Sequence, residues 1–188
     1  MSQSSSVSNK PLATLAQVRT LHTLGPAGTN CEAAAHFWFA RHGIDGTVEL
    51  HPTLEDGVEA MPQEPGHALL GCAVYPELHT LVFSNLHRLA LADAFVMPTF
   101  DMVLASRDGT LPRMTVATHP APQRLVPAGL TRVLVDSNSQ AALDCASGRT
   151  DGCITTSKAA AAHGLMVLHN HGAVPMAFTL HVPFTPGR

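Results

Sequence analysis

A glycine-rich turn between an apolar stretch and a helix-forming run constrains this chain more than any other feature. The apolar stretch covers residues 18–24, the turn reads Gly25-Pro26-Ala27-Gly28, and an alanine-rich run begins at Cys31. Thr29 and Asn30 are candidate N-caps for that helix. A strand, a turn and a helix N-terminus in this order direct backbone N–H groups at one point, and glycine lets a ligand approach the backbone. The pattern predicts an anion-binding turn at Gly28, Thr29, Asn30 and Cys31, although an ordinary strand-to-helix turn has the same spacing.

Composition sets the class of protein. The 188 residues are 45% hydrophobic and 13% charged, which is enough for one domain or two small lobes with a core. The net charge of −3 and the lack of a basic run argue against nucleic-acid or membrane-surface partners. No apolar run is long enough to span a bilayer. The four cysteines show no paired spacing, which predicts free thiols and a cytoplasmic location. Residues 1–16 are serine-rich and are expected to form a disordered tail.

Strand-like and helix-like segments alternate along the chain, which predicts an α/β fold with mostly parallel sheets. The polar stretch from Arg107 to Pro112 is the expected crossing between two lobes. The predicted strands are residues 18–24, 48–51, 67–75, 94–97, 102–106, 114–117, 132–135, 152–155, 166–169 and 178–182. The predicted helices are residues 31–42, 53–61, 82–91, 139–146 and 157–162.

Four short motifs, in order, resemble those of prephenate dehydratases. The first is the Gly-Pro-Ala-Gly-Thr turn at residues 25–29, and the second is Thr118-His119-Pro120. Ser137-Asn138-Ser139-Gln140 is similar to the serine-rich helix start of that family. Cys153-Ile154-Thr155-Thr156-Ser157-Lys158 is similar to its late strand and Ser/Thr turn. The resemblance runs from about Thr20 to Pro183.

Two departures from the dehydratase pattern narrow the resemblance. The segment Pro76-Glu77-Leu78-His79-Thr80 has His79 where dehydratases have asparagine. The segment 175–181 lacks the arginine of the dehydratase Thr-Arg pair. A dehydratase-like scaffold without these residues is similar to the non-aromatising prephenate decarboxylases of bacilysin-type pathways.

The resemblance implies a two-lobed, periplasmic-binding-protein-like α/β fold with a ligand cleft between the lobes. Residues 17–188 would form one catalytic domain, with lobe 1 at about 17–106, lobe 2 at about 113–170 and a returning strand at about 174–183. No ACT regulatory domain is expected. Because ligands bind at the carboxyl ends of parallel strands, the turns at 25–31, 75–80, 136–139 and 155–158 are expected to converge.

The implied activity is decarboxylation of prephenate without a cofactor or metal, keeping the ring hydroxyl, to give a dihydro-4-hydroxyphenylpyruvate for a non-standard amino acid or antibiotic. Alternatives are a prephenate dehydratase giving phenylpyruvate and a non-catalytic protein that binds small anions. A homodimer is the expected assembly. The candidate proton donors are His79, His119 and Tyr75, and a proton from solvent is the alternative. The candidate substrate-binding residues are Gly28, Thr29, Asn30, Cys31, Ser84, Arg107, Ser137, Thr155, Thr156, Ser157, Phe178 and Thr179.

Several of these residues have a simpler interpretation. Plain N-capping, which contributes about 1 kcal/mol, explains the serines and threonines at helix starts without a ligand. Arg107 and Arg124 are candidates for a bidentate carboxylate contact, but a solvated surface charge explains either one. His169-x-His171 has the alternation of a chelating strand but no third ligand at a standard spacing, so no metal site is predicted there.

Overall fold

The computed structural model describes residues 15–110 and 115–184, which form two compact units. The first unit contains residues up to 27, 31–97 and those from 176 onward, and the second contains 28–30 and 98–175. The expected tail at 1–16 lies outside the described residues except for its last two, which begin a short 3-10 helix at Leu15–Gln17. Within these ranges no helix has the length and hydropathy needed to cross a membrane.

The described segments contain ten strands and five α-helices. The strands are β1 (Thr20–Leu24), β2 (Thr47–His51), β3 (His67–Cys72), β4 (Leu89–Pro98), β5 (Met102–Ser106), β6 (Thr115–Thr118), β7 (Thr131–Leu134), β8 (Gly152–Thr156), β9 (Met166–Gly172) and β10 (Pro175–Pro183). The helices are α1 (Asn30–His42), α2 (Leu54–Ala60), α3 (Leu78–Ser84), α4 (Asn138–Ala146) and α5 (Ser157–Ala162).

The first unit is built on a five-stranded sheet in the order β2-β1-β3-β10-β4. β1 pairs in parallel with both β2 and β3, whereas β10 runs antiparallel to β3. One face is covered by α1, whose fully buried Trp38 packs in a cluster with Phe95 and Phe178. Gly43 ends α1 with a φ of +63°, a conformation that glycine adopts without strain.

The second unit has its own five-stranded sheet in the order β7-β6-β8-β5-β9. β6 is parallel to β7 and β8, and β5 is antiparallel to β8 and β9. Its core is dominated by small side chains, with alanines of α4 and α5 packed on Cys145 and Cys153. These two cysteines, like Cys31 and Cys72 of the first unit, are buried free thiols.

The predicted fold class is confirmed as α/β, and most predicted elements lie within a few residues of their observed positions. Three expectations were wrong. Residues 82–91 do not form a helix, because α3 ends at Ser84 and β4 begins at Leu89. The sheets are mixed rather than mostly parallel. The chain passes from the first unit to the second after Met97, so residues 107–110 of the expected crossing lie within the second unit, and the rest of that stretch lies outside the described residues.

Candidate functional site

The first unit contains a concave pocket of about 490 Å³ beside α3, which we call the His79 pocket. It brings together three residues predicted from the sequence, namely Tyr75, His79 and Thr179, and adds His181. The remaining lining residues are mostly apolar: Ala73, Val74, Pro76, Leu78, Val82, Phe83 and Leu91. An apolar pocket with a few polar groups is typical of small-molecule sites.

Strand and helix periodicity explain which side chains face this pocket. On β10, Phe178 and Leu180 are fully buried in the core, so Thr179 and His181 point to the opposite face of the sheet and line the pocket. On α3, His79 shares a face with Val82 and Phe83, which are three and four residues later.

Hydrogen bonds fix Tyr75, Thr179 and His181 in the pocket. Nε2 of His181 lies 3.0 Å from the hydroxyl of Thr179, and burial lowers the pKa of His181 to about 4, which keeps its ring neutral near pH 7. The phenol of Tyr75 donates to the Glu55 carboxylate at 2.6 Å, and burial together with this carboxylate raises the pKa of Tyr75 to about 12. Tyr75 is therefore a neutral donor already engaged by Glu55, whereas His79 is exposed at the pocket.

Three predicted residues of the first unit do not join the pocket. Ser84 lines a separate hollow of about 180 Å³ that also contains Glu55, Glu59 and Glu77, an environment unfavourable to an anion. The ring of Phe178 is fully buried and stacks on Phe95 with centroids 5.6 Å apart, so Phe178 is a core residue.

Cys31 is also a core residue of the first unit. Its side chain is 8% exposed, and a hydrogen bond with Cys72, reinforced by burial, holds the pKa of Cys31 well above its usual range. Cys31 is therefore a neutral thiol that faces the core, and the sequence prediction that it binds substrate is corrected for its side chain.

The second unit collects the other predicted residues, except Arg107, at one edge of its sheet. The parallel strands β6, β7 and β8 end there: His119 and Ser137 follow β6 and β7, and Thr155 and Thr156 are the last residues of β8, just before Ser157. This edge is where ligands bind in open α/β sheets. We call these residues, with Gly28, Asn30 and Lys158, the carboxyl-edge cluster.

Three hydroxyls of the carboxyl-edge cluster are held by local hydrogen bonds. Ser137 caps α4 by accepting from the Gln140 N–H at 3.0 Å, and Thr156 caps α5 by accepting from the Ala159 N–H at 3.1 Å. The N-capping interpretation of these two residues is thus confirmed. The buried hydroxyl of Thr155 donates to the Asn138 carbonyl at 2.6 Å.

The glycine turn at residues 28–30 belongs to the second unit and lies beside a lysine. Gly28 has a φ of +84°, and a Cβ built there would lie 3.9 Å from Cε of Lys158. The Lys158 ammonium lies 5.0 Å from the ring centroid of Phe100, whose N–H donates to Oδ1 of Asn30 at 2.9 Å. Thr29 lies between Gly28 and Asn30 in this turn. The turn therefore has a cation at its side, which favours anion binding.

Two other predictions in the second unit require revision. The Ser157 N–H donates to the Asp101 carbonyl at 2.8 Å, so this backbone group is not available to a ligand. The ring of His119 accepts from the Ala121 N–H at Nδ1, and burial lowers its pKa although Asp136 opposes the shift. The lowered pKa disfavours the imidazolium form of His119, which is the form that a general acid needs.

Arg107 is at the wrong end of the sheet for the predicted role. Arg107 directly follows Ser106, the last residue of β5, and Ser106 pairs with Gly152 at the start of β8. The carboxyl end of β8 is at Thr156, which pairs with Met102 at the opposite end of β5. The guanidinium donates to the carbonyls of Cys145 and Thr150 at 2.5 and 3.0 Å, and so it holds the C-terminal end of α4. Arg124 lies exposed in a short 3-10 helix at Gln123–Leu125.

Sequence reasoning missed two features. His181 was overlooked although it stands two residues after Thr179 on the same face of β10. Also overlooked was a cluster in the first sheet that contains His22, Glu49, His51 and His67. The sequence signal that could have indicated it is the Glu49-x-His51 spacing, because alternate residues of a strand face the same side and β2 pairs in parallel with the strand that carries His22. The rings of His169 and His171 lie 4.5 Å apart in the second sheet, and no third ligand joins them among the described residues.

Known proteins similar to this chain support the resemblance. Over 184 residues it is 29% identical to a protein named prephenate decarboxylase from Bacillus subtilis strain 168, covering 88% of this chain and 87% of the relative. A protein of the same name from Bacillus amyloliquefaciens is 27% identical over 183 residues, with the same coverage. The resemblance predicted from the motifs is confirmed by these relatives. No protein-family model matches the chain.

Solved structures support the fold. A prephenate dehydratase from Arthrobacter aurescens, in complex with L-Phe, matches with a TM-score of 0.67 at 21% identity, over 90% of this chain. The chain spans 61% of that dehydratase chain. A BvgS VFT2 domain from Bordetella pertussis matches with a TM-score of 0.52 at 17% identity, covering 89% of this chain and 81% of that domain.

Proposed function

We propose that this protein is a carboxy-lyase that decarboxylates prephenate and keeps the ring hydroxyl, giving a dihydro-4-hydroxyphenylpyruvate. The observation that carries the proposal is the similarity, over 88% of the chain, to proteins named prephenate decarboxylase. The His79 pocket agrees with it, since it offers a proton donor among apolar side chains and its β10 strand carries Thr179 and His181 rather than an arginine.

The reaction needs one group to leave and one proton to arrive. The ring carboxylate departs as CO2, and the electron pair of the broken C–C bond forms a new double bond to the neighbouring ring carbon, which displaces the electron pair of the existing double bond to its far carbon. A proton is then added at the far end of that double bond, so the ring keeps two double bonds and its hydroxyl. Loss of CO2 is favoured where apolar side chains replace water around the departing carboxylate, and the half-buried Leu78 and Val82 are the lining residues suited to this.

We assign the proton to His79. Its imidazole is exposed at the pocket, whereas the nearby Tyr75 phenol donates to Glu55 and His181 stays neutral next to Thr179. A histidine with an accessible imidazole can act as a general acid. For the second unit by itself, we assign carboxylate binding to the turn at Gly28 and Thr29 with Lys158, because glycine permits close approach to the backbone and Lys158 supplies a cation.

The product identifies the activity. The purified protein is incubated with prephenate without added cofactor, and the proton NMR spectrum is compared with a protein-free control. Vinyl signals with a retained carbinol proton are expected. Five aromatic protons, formed faster than in the control, would establish a dehydratase. Unchanged prephenate with tight binding would establish a non-catalytic binding protein.

The proton donor is tested with a matched pair of variants. His79→Gln is expected to lower kcat by about 10²–10⁴-fold, the range for loss of a general acid. His87→Gln, at an exposed position of the same unit outside the pocket, is expected to retain full activity. Equal activity of both variants would refute the assignment of His79.

The cellular setting is also part of the proposal. The non-aromatic product suits a pathway to a non-standard amino acid or antibiotic rather than to phenylalanine.

The four free thiols support a cytoplasmic location. We propose a homodimer whose catalytic domain covers residues 17–188, and light scattering of the purified chain measures its mass directly.

A further inference from the structure

We propose that the first unit binds a divalent first-row transition-metal ion through His22, Glu49 and His51. His22 lies on the central part of β1, and Glu49 and His51 lie two residues apart on the neighbouring strand β2. In the parallel register His22 is paired with Glu49, so all three side chains emerge on the same face of the sheet. None of them lines the His79 pocket.

The distances between the ligand atoms fit a metal ion. Nδ1 of His22 lies 3.0 Å from Nε2 of His51 and 3.5 Å from a carboxylate oxygen of Glu49. All three ligand atoms lie within 4.8 Å of one another. Metal–nitrogen bonds of about 2.0–2.1 Å in a tetrahedral site place neighbouring ligands about 3.3 Å apart. Nδ1 of His22 therefore already has ligand-like spacing to both partners, and the ion replaces the proton that the two ring nitrogens share.

A second group of residues supports the central ligand. Nε2 of His22, on the far side of its ring, lies 3.0 Å from Nδ1 of His67, at the start of β3. The other ring nitrogen of His67 lies 3.9 Å from the Glu64 carboxylate. A metal-bound histidine characteristically donates its remaining N–H to such a partner, which fixes the ring and strengthens its basicity. The described residues thus provide an outer shell as well as three ligands.

Burial and exposure are also suited to binding an ion. His22 is 1% exposed and held within the sheet, whereas the Glu49 side chain is 50% exposed. The rigid ligand is therefore preorganised, and the exposed carboxylate can turn onto an entering ion and leave a position for water. Two imidazole nitrogens favour ions such as Zn²⁺ over Mg²⁺ and Ca²⁺, which prefer oxygen ligands.

Zinc chloride titrated into the metal-stripped full chain tests the site by calorimetry. One ion per chain is expected at this site, and Co²⁺ is expected to give the visible absorption of a nitrogen-coordinated ion. His67→Gln removes an outer-shell partner and should weaken Zn²⁺ binding by about 10–100-fold without changing the stoichiometry. His51→Gln removes a ligand and should weaken Zn²⁺ binding by more than this. Mg²⁺ should not bind.

The double variant His169→Gln with His171→Gln is the control, because it removes a histidine pair from the second unit. It should retain the affinity of the unmodified chain for Zn²⁺. If His51→Gln does not fold, as judged by circular dichroism, the exposed Glu49→Gln replaces it. The proposal is overturned if the chain binds no Zn²⁺, if the ligand variants retain full affinity, or if the control variant loses the ion. Because prephenate is not used, the result is independent of the proposed activity.

Discussion

Acidification is expected to destabilise the first unit through His181. This side chain is 4% exposed, and burial lowers the pKa of His181 to about 4, against about 6.5 in an unfolded chain. Between these two values the unfolded chain binds more protons than the folded one. The contribution of neutral His181 to stability is therefore complete above about pH 6.5 and is lost as the pH falls toward 4.

The magnitude follows from the two pKa values. Lowering the pH from 7.5 to 5 is expected to reduce the free energy of unfolding by about 2 kcal/mol through His181 alone. His181→Asn removes the titrating ring, so the variant should lose about 2 kcal/mol less than the unmodified protein over the same interval. His22, whose pKa burial also lowers to about 4, contributes equally in both proteins.

Urea unfolding followed by tryptophan fluorescence measures this difference. The chain has one tryptophan, Trp38, and it is fully buried in the first unit, so the signal reports on the unit that contains His181. His36→Asn, at an exposed position of α1, is the control and should keep the full pH dependence. Identical losses in His181→Asn and the unmodified protein would refute the assignment of a neutral, buried His181.

Three further predictions concern residues that the structure reassigned. Phe178→Ala should lower the free energy of unfolding of the first unit by about 3–5 kcal/mol, because a fully buried aromatic ring is lost; a change below about 1 kcal/mol in urea unfolding would contradict its core position. Ser137→Ala should lower the stability of α4 by about 1 kcal/mol because the N-cap hydrogen bond is lost, and amide hydrogen exchange at the start of α4 should become faster. Ser139→Ala does not remove this bond and should have a smaller effect on the exchange. Arg107→Gln should speed exchange around residues 145–150 because two carbonyls lose their charged donor; unchanged exchange there would argue against its role at the end of α4.

The elements that follow from local signals were predictable. Thr53 precedes α2 and its hydroxyl accepts from the Asp56 N–H, as the acidic first turn indicated. The segment 82–91 was wrongly predicted as a helix because it contains no glycine or proline. The helix ends instead where the Asn85 side chain donates to the Leu81 carbonyl at 2.8 Å. A side-chain bond of this kind has little weight in a periodicity argument.

The site was harder to predict because it depends on pairing between distant segments. β10 places Thr179 opposite Gly71 and Phe178 opposite Cys72, a register that no local pattern specifies. Consecutive residues on a strand face opposite sides, so Phe178 and Thr179 cannot both line one pocket, and the strand period was sufficient to show this. Arg107 was misassigned because its target, the end of α4, lies about 40 residues away along the chain.

The position of β10 in the first sheet has a consequence for biosynthesis. This strand lies between β3 and β4, yet it follows the entire second unit along the chain. While the ribosome is still adding the second unit, β3 and β4 have both emerged without the strand that joins them. The second unit can therefore complete its own sheet first, and the His79 pocket, which needs Thr179 and His181, forms only after β10 has been synthesised.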